Sequence, residues 1–248
     1  KSGNLYFESV VGGTSVQLVQ DESYKFLTSV TIPASVVNEG VTYPVIEIGH
    51  SAFYGCSSLT SVTIPNSVTA IRDYAFSSCS SLTSVTIPNS VTTIGGCVFE
   101  YCSSLTSVTI PNSVTTIGGN VFYRCTSLTF VTIPNNNFTF NSTMFYKCDA
   151  LTSITIVANS LQEFVERNIN QQLCNDSYPR NAARHIVING TELIHNVTIP
   201  DGTTTINAQT FYNCTSINSF VLPTTVTTIG KEAFWGVKYL HMQSSTPP

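Results

Sequence analysis

The groups in this chain best equipped for chemistry are its thiols, and their spacing argues that they perform none. Cys56, Cys79, Cys102, Cys125 and Cys148 recur every 23 residues. A reactive thiolate needs a cation or base beside it, and a zinc site needs further ligands at short range. A cysteine placed once per unit instead stacks in register as a small buried hydrophobe. Bridges within such a ladder are disfavoured, because stacked cysteines present parallel Cβ vectors. Cys214, in FYNC, matches FYRC at 122–125 and joins the same ladder. Cys97 and Cys174 fall off the register and are open to exposure.

The carboxylates and histidines are placed no better for catalysis. General acid–base chemistry wants paired carboxylates at close range. Within 56–148 only Asp73 and Glu100 occur, with Asp149 just beyond, at different phases of the unit. His185 and His195 flank an Asn189-Gly190 turn, so in a hairpin they would face each other with Glu192 between them. A metal site is imaginable there; a solvated pair is the plainer reading. No run matches a zinc, calcium or phosphate-loop motif, and neither a nucleophile elbow nor a Cys-His arrangement stands out. No catalytic, cofactor-binding or metal-ligating residue is therefore assigned. Sequons at Asn137, Asn141, Asn175, Asn189, Asn196 and Asn213 would matter only in a eukaryotic host. A net charge of −4 with only 10% charged residues argues against a nucleic-acid partner. No apolar run is long enough to insert in a membrane.

What positions all these residues is a repeat. The unit CSSLTSVTIPNSVTTIGGxVFxx is written four times between 56 and 148, with Ile-Pro at 64–65, 87–88, 110–111 and 133–134. Self-similarity at this period marks a solenoid, in which each unit adds one layer to a shared core. Leu59, Val62 and Ile64 form an L-x-x-V-x-I strand, with Ser61 and Thr63 alternating outward. Pro65 removes a donor and Asn66-Ser67 turns the chain. Val68 and Ile71 make a second apolar pair on another side, and Ala75 and Phe76 return to the core in a short helical turn. Phe53, Phe76, Phe99, Phe122 and Phe145 are expected to stack as a vertical column, continued by Phe211 and Phe234.

The organisation follows from where the period holds. Residues 1–28 read as a capping β-hairpin around Gly12-Gly13, covering an otherwise open edge. Residues 29–156 carry regular repeats, with a first coil enlarged by NEGVTYPV at 38–45. At 157–196 the repeat breaks: SLQEFVERNINQQL has helical spacing with Ser160 as N-cap and Glu163 three residues on, and HIVINGTELI reads as a hairpin. Ile156 and Ile199 lie 43 residues apart, so one coil is expected to be replaced there. Repeats resume at 197–248 and end on a strand in YLHMQSSTPP, after which more chain or a partner is expected. The fold class is thus a mostly-β, leucine-rich-repeat-type, right-handed solenoid of 23-residue coils. About seven or eight coils would share a parallel sheet at roughly 4.8 Å spacing.

The order strand, Ile-Pro, SVTxIG, then AF or VF and Cys resembles the BspA-like branch of leucine-rich-repeat surface proteins. SLTSVTIPNSVTAIRDYAFSSC at 58–79 and TIPDGTTTINAQTFYNC at 198–214 carry the likeness. It implies a secreted or cell-surface protein that is not an enzyme and that adheres to a host extracellular-matrix protein, a surface glycan or another microbe. A rigid spacer presenting another domain is the alternative. A polysaccharide-active β-helix is a further one, but it would align charged side chains on consecutive coils. What aligns instead is Ser61 and Thr63, Ser84 and Thr86, Ser107 and Thr109, Phe130 and Thr132. This uncharged strip is the expected binding face, unless Phe130 packs against Phe138 or Phe140.

Overall fold

The computed structural model describes residues 5–135, 143–167 and 182–243. Each regular coil begins at the strand dictated by its alternating Ser-Val-Thr triplet, whose valine points inward and whose hydroxyl residues point out. Strands Ser61–Thr63, Ser84–Val85, Ser107–Thr109 and Phe130–Pro134 pair in parallel, residue for residue at the same phase of the unit. The sheet continues from Ser29–Thr31 at one end to Ser153–Ala158 and Ala183–Ile188 at the other. After each Ile-Pro step the chain turns. The proline carbonyl accepts from the valine amide three residues on, as Pro65 does from Val68 and Pro88 from Val91.

A second parallel sheet, on another side of the coil, is made by the Ala70–Ile71, Thr93–Ile94 and Thr116–Ile117 pairs, beside Val41–Ile48. The chain then crosses back in turns rather than a helical segment, with left-handed residues at two places per coil. These include Tyr74 and Ser78, Cys97 and Tyr101, Asn120 and Arg124. Gly118 is required by close approach: a Cβ there would lie 2.4 Å from the Gly96 amide nitrogen of the preceding coil.

The core runs along the axis. Phe53, Phe76, Phe99, Phe122 and Phe145 are buried and stack at 5.3 to 5.7 Å between centroids, within 4–7° of parallel. Those separations exceed the roughly 4.8 Å strand spacing, so each ring is slipped on the next, the offset arrangement that ring quadrupoles prefer. Beside them the cysteine ladder is buried and unbridged. Four of the thiols donate to the carbonyl of a column phenylalanine one coil back: Cys79 to Phe53 and Cys102 to Phe76 at 3.2 Å, Cys125 to Phe99 at 3.1 Å, Cys148 to Phe122 at 3.0 Å. A small side chain with a weak donor suits this place. Burial pushes Cys56 up to about 11 and Cys148 up to about 12, with Cys79, Cys102 and Cys125 raised by the same cause.

The expected hairpins and Ser160-capped helix are present at the N-terminal end and the interruption, and the structure adds how each joins the stack. Strands Phe7–Ser9 and Val16–Leu18 form an antiparallel hairpin, and the latter extends the second sheet by pairing with Val41–Ile48. The phenylalanine column is closed by Tyr24, whose ring lies 5.3 Å from Phe53 and whose hydroxyl accepts from the Tyr6 amide at 2.6 Å. No coil is lost at the interruption. Ala183–Ile188 takes its place on Ser153–Ala158 with Ile186 opposite Ile156. Helix Leu161–Arg167, capped by Ser160 accepting from the Glu163 amide, brings a buried Phe164 to within 5.5 Å of Phe211. The helix thus restores the ring the repeat omits; its expected extension to 173 lies outside the described residues, as does Cys174. Antiparallel Thr191–Glu192 ends the first sheet, and strands His195–Thr198, Ile217–Leu222 and Tyr239–Met242 make a separate parallel one. With seven parallel strands in the first sheet and three in the next, the described chain has more layers than the seven or eight expected.

Candidate functional site

The strand register brings the expected binding residues into two vertical rows. Ser61, Ser84, Ser107 and Phe130 lie side by side, as do Thr109 and Thr132, with Thr63 and Thr86 at the same phase. The rows extend further than expected, to Ser29 and Thr31 at one end and to Ser153 and Thr155 at the other. At the far end the threonine row terminates in His185, opposite Thr155. Phe130 stands 38% exposed among the hydroxyls; Phe138 and Phe140 lie outside the described residues. Between two successive strands of this face runs a shallow concavity of about 350 Å³, lined by Ser84, Thr86, Asn89, Ser107, Thr109 and Pro111.

Hydrogen bonding separates this strip from the threonines beside it. Thr60, Thr83, Thr106, Thr129 and Thr152 each donate their hydroxyl to a backbone carbonyl of the preceding coil, at 2.8 to 3.3 Å. Thr69, Thr92 and Thr115 do the same beside the second sheet, at 3.3 Å. Those hydroxyls staple coil to coil. Ser61, Thr63, Ser84, Thr86, Ser107 and Thr109 project from the pleat to solvent, Thr132 is partly exposed, and their hydroxyls have no partner among the described residues. They remain available to a ligand, and a neutral hydroxyl gives up its water at far lower cost than a charge does.

A second concavity, of about 660 Å³, lies where the turn of the N-terminal hairpin meets the second sheet, with Val11, Glu47, His50, Arg72, Asp73 and Thr93 among its lining. Its charges are engaged. Arg72 makes a bidentate ion pair with the buried Glu47, at 2.9 and 2.5 Å, and Asp73 accepts from the Gly96 amide at 2.7 Å. Glu47 holds the Arg72 guanidinium above its ordinary pKa. One carboxylate locked on arginine and another on a backbone amide do not make an acid–base pair.

Two expectations are corrected. His185 and His195 do not face each other: His185 Nδ1 contacts Glu192 at 2.6 Å, while His195 begins the next strand and lies 3.4 Å from the Asn218 amide nitrogen. The hairpin closes at Glu192, leaving His195 beyond it, and no group of three metal-binding side chains forms among the described residues. Cys97 is buried rather than exposed, because its left-handed backbone turns it under the following coil, where its amide donates to Gly119. Burial also raises its thiol above the ordinary range.

Sequence reasoning passed over a second aromatic row. Tyr101, Tyr123 and Tyr146 lie 5.8 and 5.4 Å apart between centroids, on the side of the coil just outside the phenylalanine column. Arg124 sits over two of the rings and Lys147 over the third. These residues occupy the variable places around the phenylalanine, and an aromatic or basic residue there in three successive units was the available signal.

The family described as BspA type Leucine rich repeat region matches in six copies, over residues 46–172 and 187–245. No curated protein matches the chain. Among solved structures, a leucine-rich repeat protein from Bacteroides capillosus is 36% identical over 53% of this chain and 94% of its own, with a TM-score of 0.48. Another from Bacteroides ovatus is 22% identical, covering 98% of this chain and 71% of its own, with a TM-score of 0.49. The leucine-rich repeat protein of T. pallidum is 23% identical over 64% of this chain and 84% of its own, also with a TM-score of 0.49.

Proposed function

Because the chain belongs to the BspA-type leucine-rich repeat family, we propose that it is a non-enzymatic surface or secreted protein that holds an extended ligand along its hydroxyl face. The ligand class is a host matrix protein, a glycan or another microbial surface. The observation that supports this reading is the contrast between the two sets of hydroxyls. Threonines one residue away donate to the preceding coil, while the serine and threonine rows on the strands face outward with their hydrogen-bonding capacity unused. A solenoid repeats such a row once per layer and so offers a long surface matched to a long ligand. Phe130, replacing a serine midway, adds the kind of aromatic anchor that dominates interface energies. No helix among the described residues is long and apolar enough to cross a membrane.

The test is an array of matrix proteins and glycans probed with the wild type, Phe130→Ala and Thr109→Arg. Binding should fall at least about tenfold in both variants and depend weakly on salt, because uncharged contacts are not screened. Equal binding by all three proteins would remove this face from consideration. No binding by the folded wild type would favour a spacer.

A further inference from the structure

The row of Tyr101, Tyr123 and Tyr146 is built differently from everything around it. Tyr123 and Tyr146 stack at 22°, Tyr101 meets Tyr123 edge-on at 65°, and Arg124 lies 5.5 and 5.7 Å from the first two rings. Lys147 lies 5.9 Å from the ring of Tyr146. Elsewhere Lys25, Arg72, Arg167 and Lys231 each answer a carboxylate, while Lys238 is exposed and outside any ion pair among the described residues. Arg124 and Lys147 are exposed and form no ion pair among the described residues, although Asp149 lies two residues from Lys147. The backbone adds a separate observation. Tyr101, Arg124 and Lys147 have φ of 58°, 60° and 60°, at the position where other coils have Gly55, Ser78, Asn213 and Gly236, all left-handed as well. The position is left-handed throughout the repeat, so glycine fits it in any coil.

We propose that this row is a docking surface for an acidic polypeptide segment of a partner protein. Two unpaired cations and the ring edges, which carry the positive end of the aromatic quadrupole, all favour an anion. Tyr123 and Tyr146 are faced by each other and by the cations, which leaves the exposed Tyr101 as the more open ring, a small platform for stacking a sugar. The row as a whole favours a peptide, whose carboxylates reach the cations while its apolar atoms pack on ring edges. Tyrosine and arginine are also the residues enriched at protein–protein hot spots. The surface is distinct from the hydroxyl face, and the two proposals stand or fall separately.

The experiment measures binding of a labelled oligoglutamate peptide to the full chain at low and high salt, with dextran sulfate and neutral dextran alongside. The variant pair is Arg124→Gly with Lys147→Gly, which removes both charges at positions whose left-handed backbone glycine fits, so the fold is retained. The wild type should bind oligoglutamate, lose it as salt rises, and bind at least about tenfold more weakly in the double variant. Tyr123→Ser should weaken it as well, and Phe130→Ala should leave it unchanged. Absence of binding at low salt, or equal binding by the double variant, would overturn the proposal. So would a preference for dextran sulfate over the peptide, which would reassign the row to an anionic glycan.

Discussion

In the block from Phe53 to Cys148 the column rings lie within 4–7° of parallel and every one is buried. In the block from His195 to Met242, Phe211 and Phe234 still stack at 5.3 Å. Here, however, Phe220 presses on both, at 4.4 and 4.9 Å and tilted by 46° and 58°. Phe220 pairs with Val197 and occupies the inward place that Val62, Val85, Val108 and Val131 fill elsewhere. Ile229 is 44% exposed at a phase where Ile71 and Ile94 are fully buried. Strand Tyr239–Met242, with one described neighbour, is exposed throughout. Part of the difference is the residue itself, a phenylalanine in a valine's place, and part is neighbours: a coil's core position is completed by the layers on both sides of it.

The sharpest test sets one ring of the column against another. Phe99→Ala, between two stacked neighbours, should cost about 3–5 kcal/mol in urea unfolding. Phe234→Ala, on a half-buried ring in the last described aromatic layer, should cost roughly half as much, since less apolar area is involved. Equal costs would mean that the blocks are equally well packed. A smaller effect is expected from glycine substitutions inside the regular block. Gly118→Ala drives a Cβ against the backbone of the preceding coil and should cost about 1–3 kcal/mol. Gly96→Ala meets its nearest atom at 3.5 Å and should stay within about 0.5 kcal/mol. Thermal melts of the two variants decide whether coil spacing is as tight as the geometry requires.

A further test of the regular block is alkaline. Folded Cys56 ionises near pH 11 against an ordinary 9.0, so the folded state holds its proton more tightly than the unfolded chain. Its contribution is present below pH 9 and is lost as pH rises through 11. The more strongly raised ladder thiols extend the loss further. A chemical denaturation series across that range should show a progressive fall. At neutral pH a water-soluble thiol reagent should label the ladder cysteines only as fast as the protein opens; rapid labelling of the native state would contradict their burial.

Much of this could be read from the chain because a repeat amplifies weak signals. One Ser-Val-Thr triplet is ambiguous, but the same triplet at constant spacing with an Ile-Pro step after it defines a strand, its inward face and its partner's register. The phenylalanine and cysteine columns follow from the same arithmetic. The candidate face was legible as aligned residues, but not as available ones. Nothing in the sequence tells Thr83, whose hydroxyl staples two coils, from Ser84, whose hydroxyl does not. Likewise Tyr101, Arg124 and Lys147 are scattered substitutions in the text of the unit and become a surface only when the coils are stacked.

The amino-acid sequence by itself determined the period, the parallel pairing, the inward columns and the membership of the repeat family, because each depends on residue type and spacing along one chain. Tertiary structure alone decided that Tyr24 closes the phenylalanine column, that Phe164 re-enters it from a helix, that Cys97 is buried, and that the sheet divides after Glu192. Each of those depends on which residue lies directly above or below, at distances of 4 to 6 Å. A break in the period removes the rule by which a one-dimensional spacing becomes a three-dimensional neighbour.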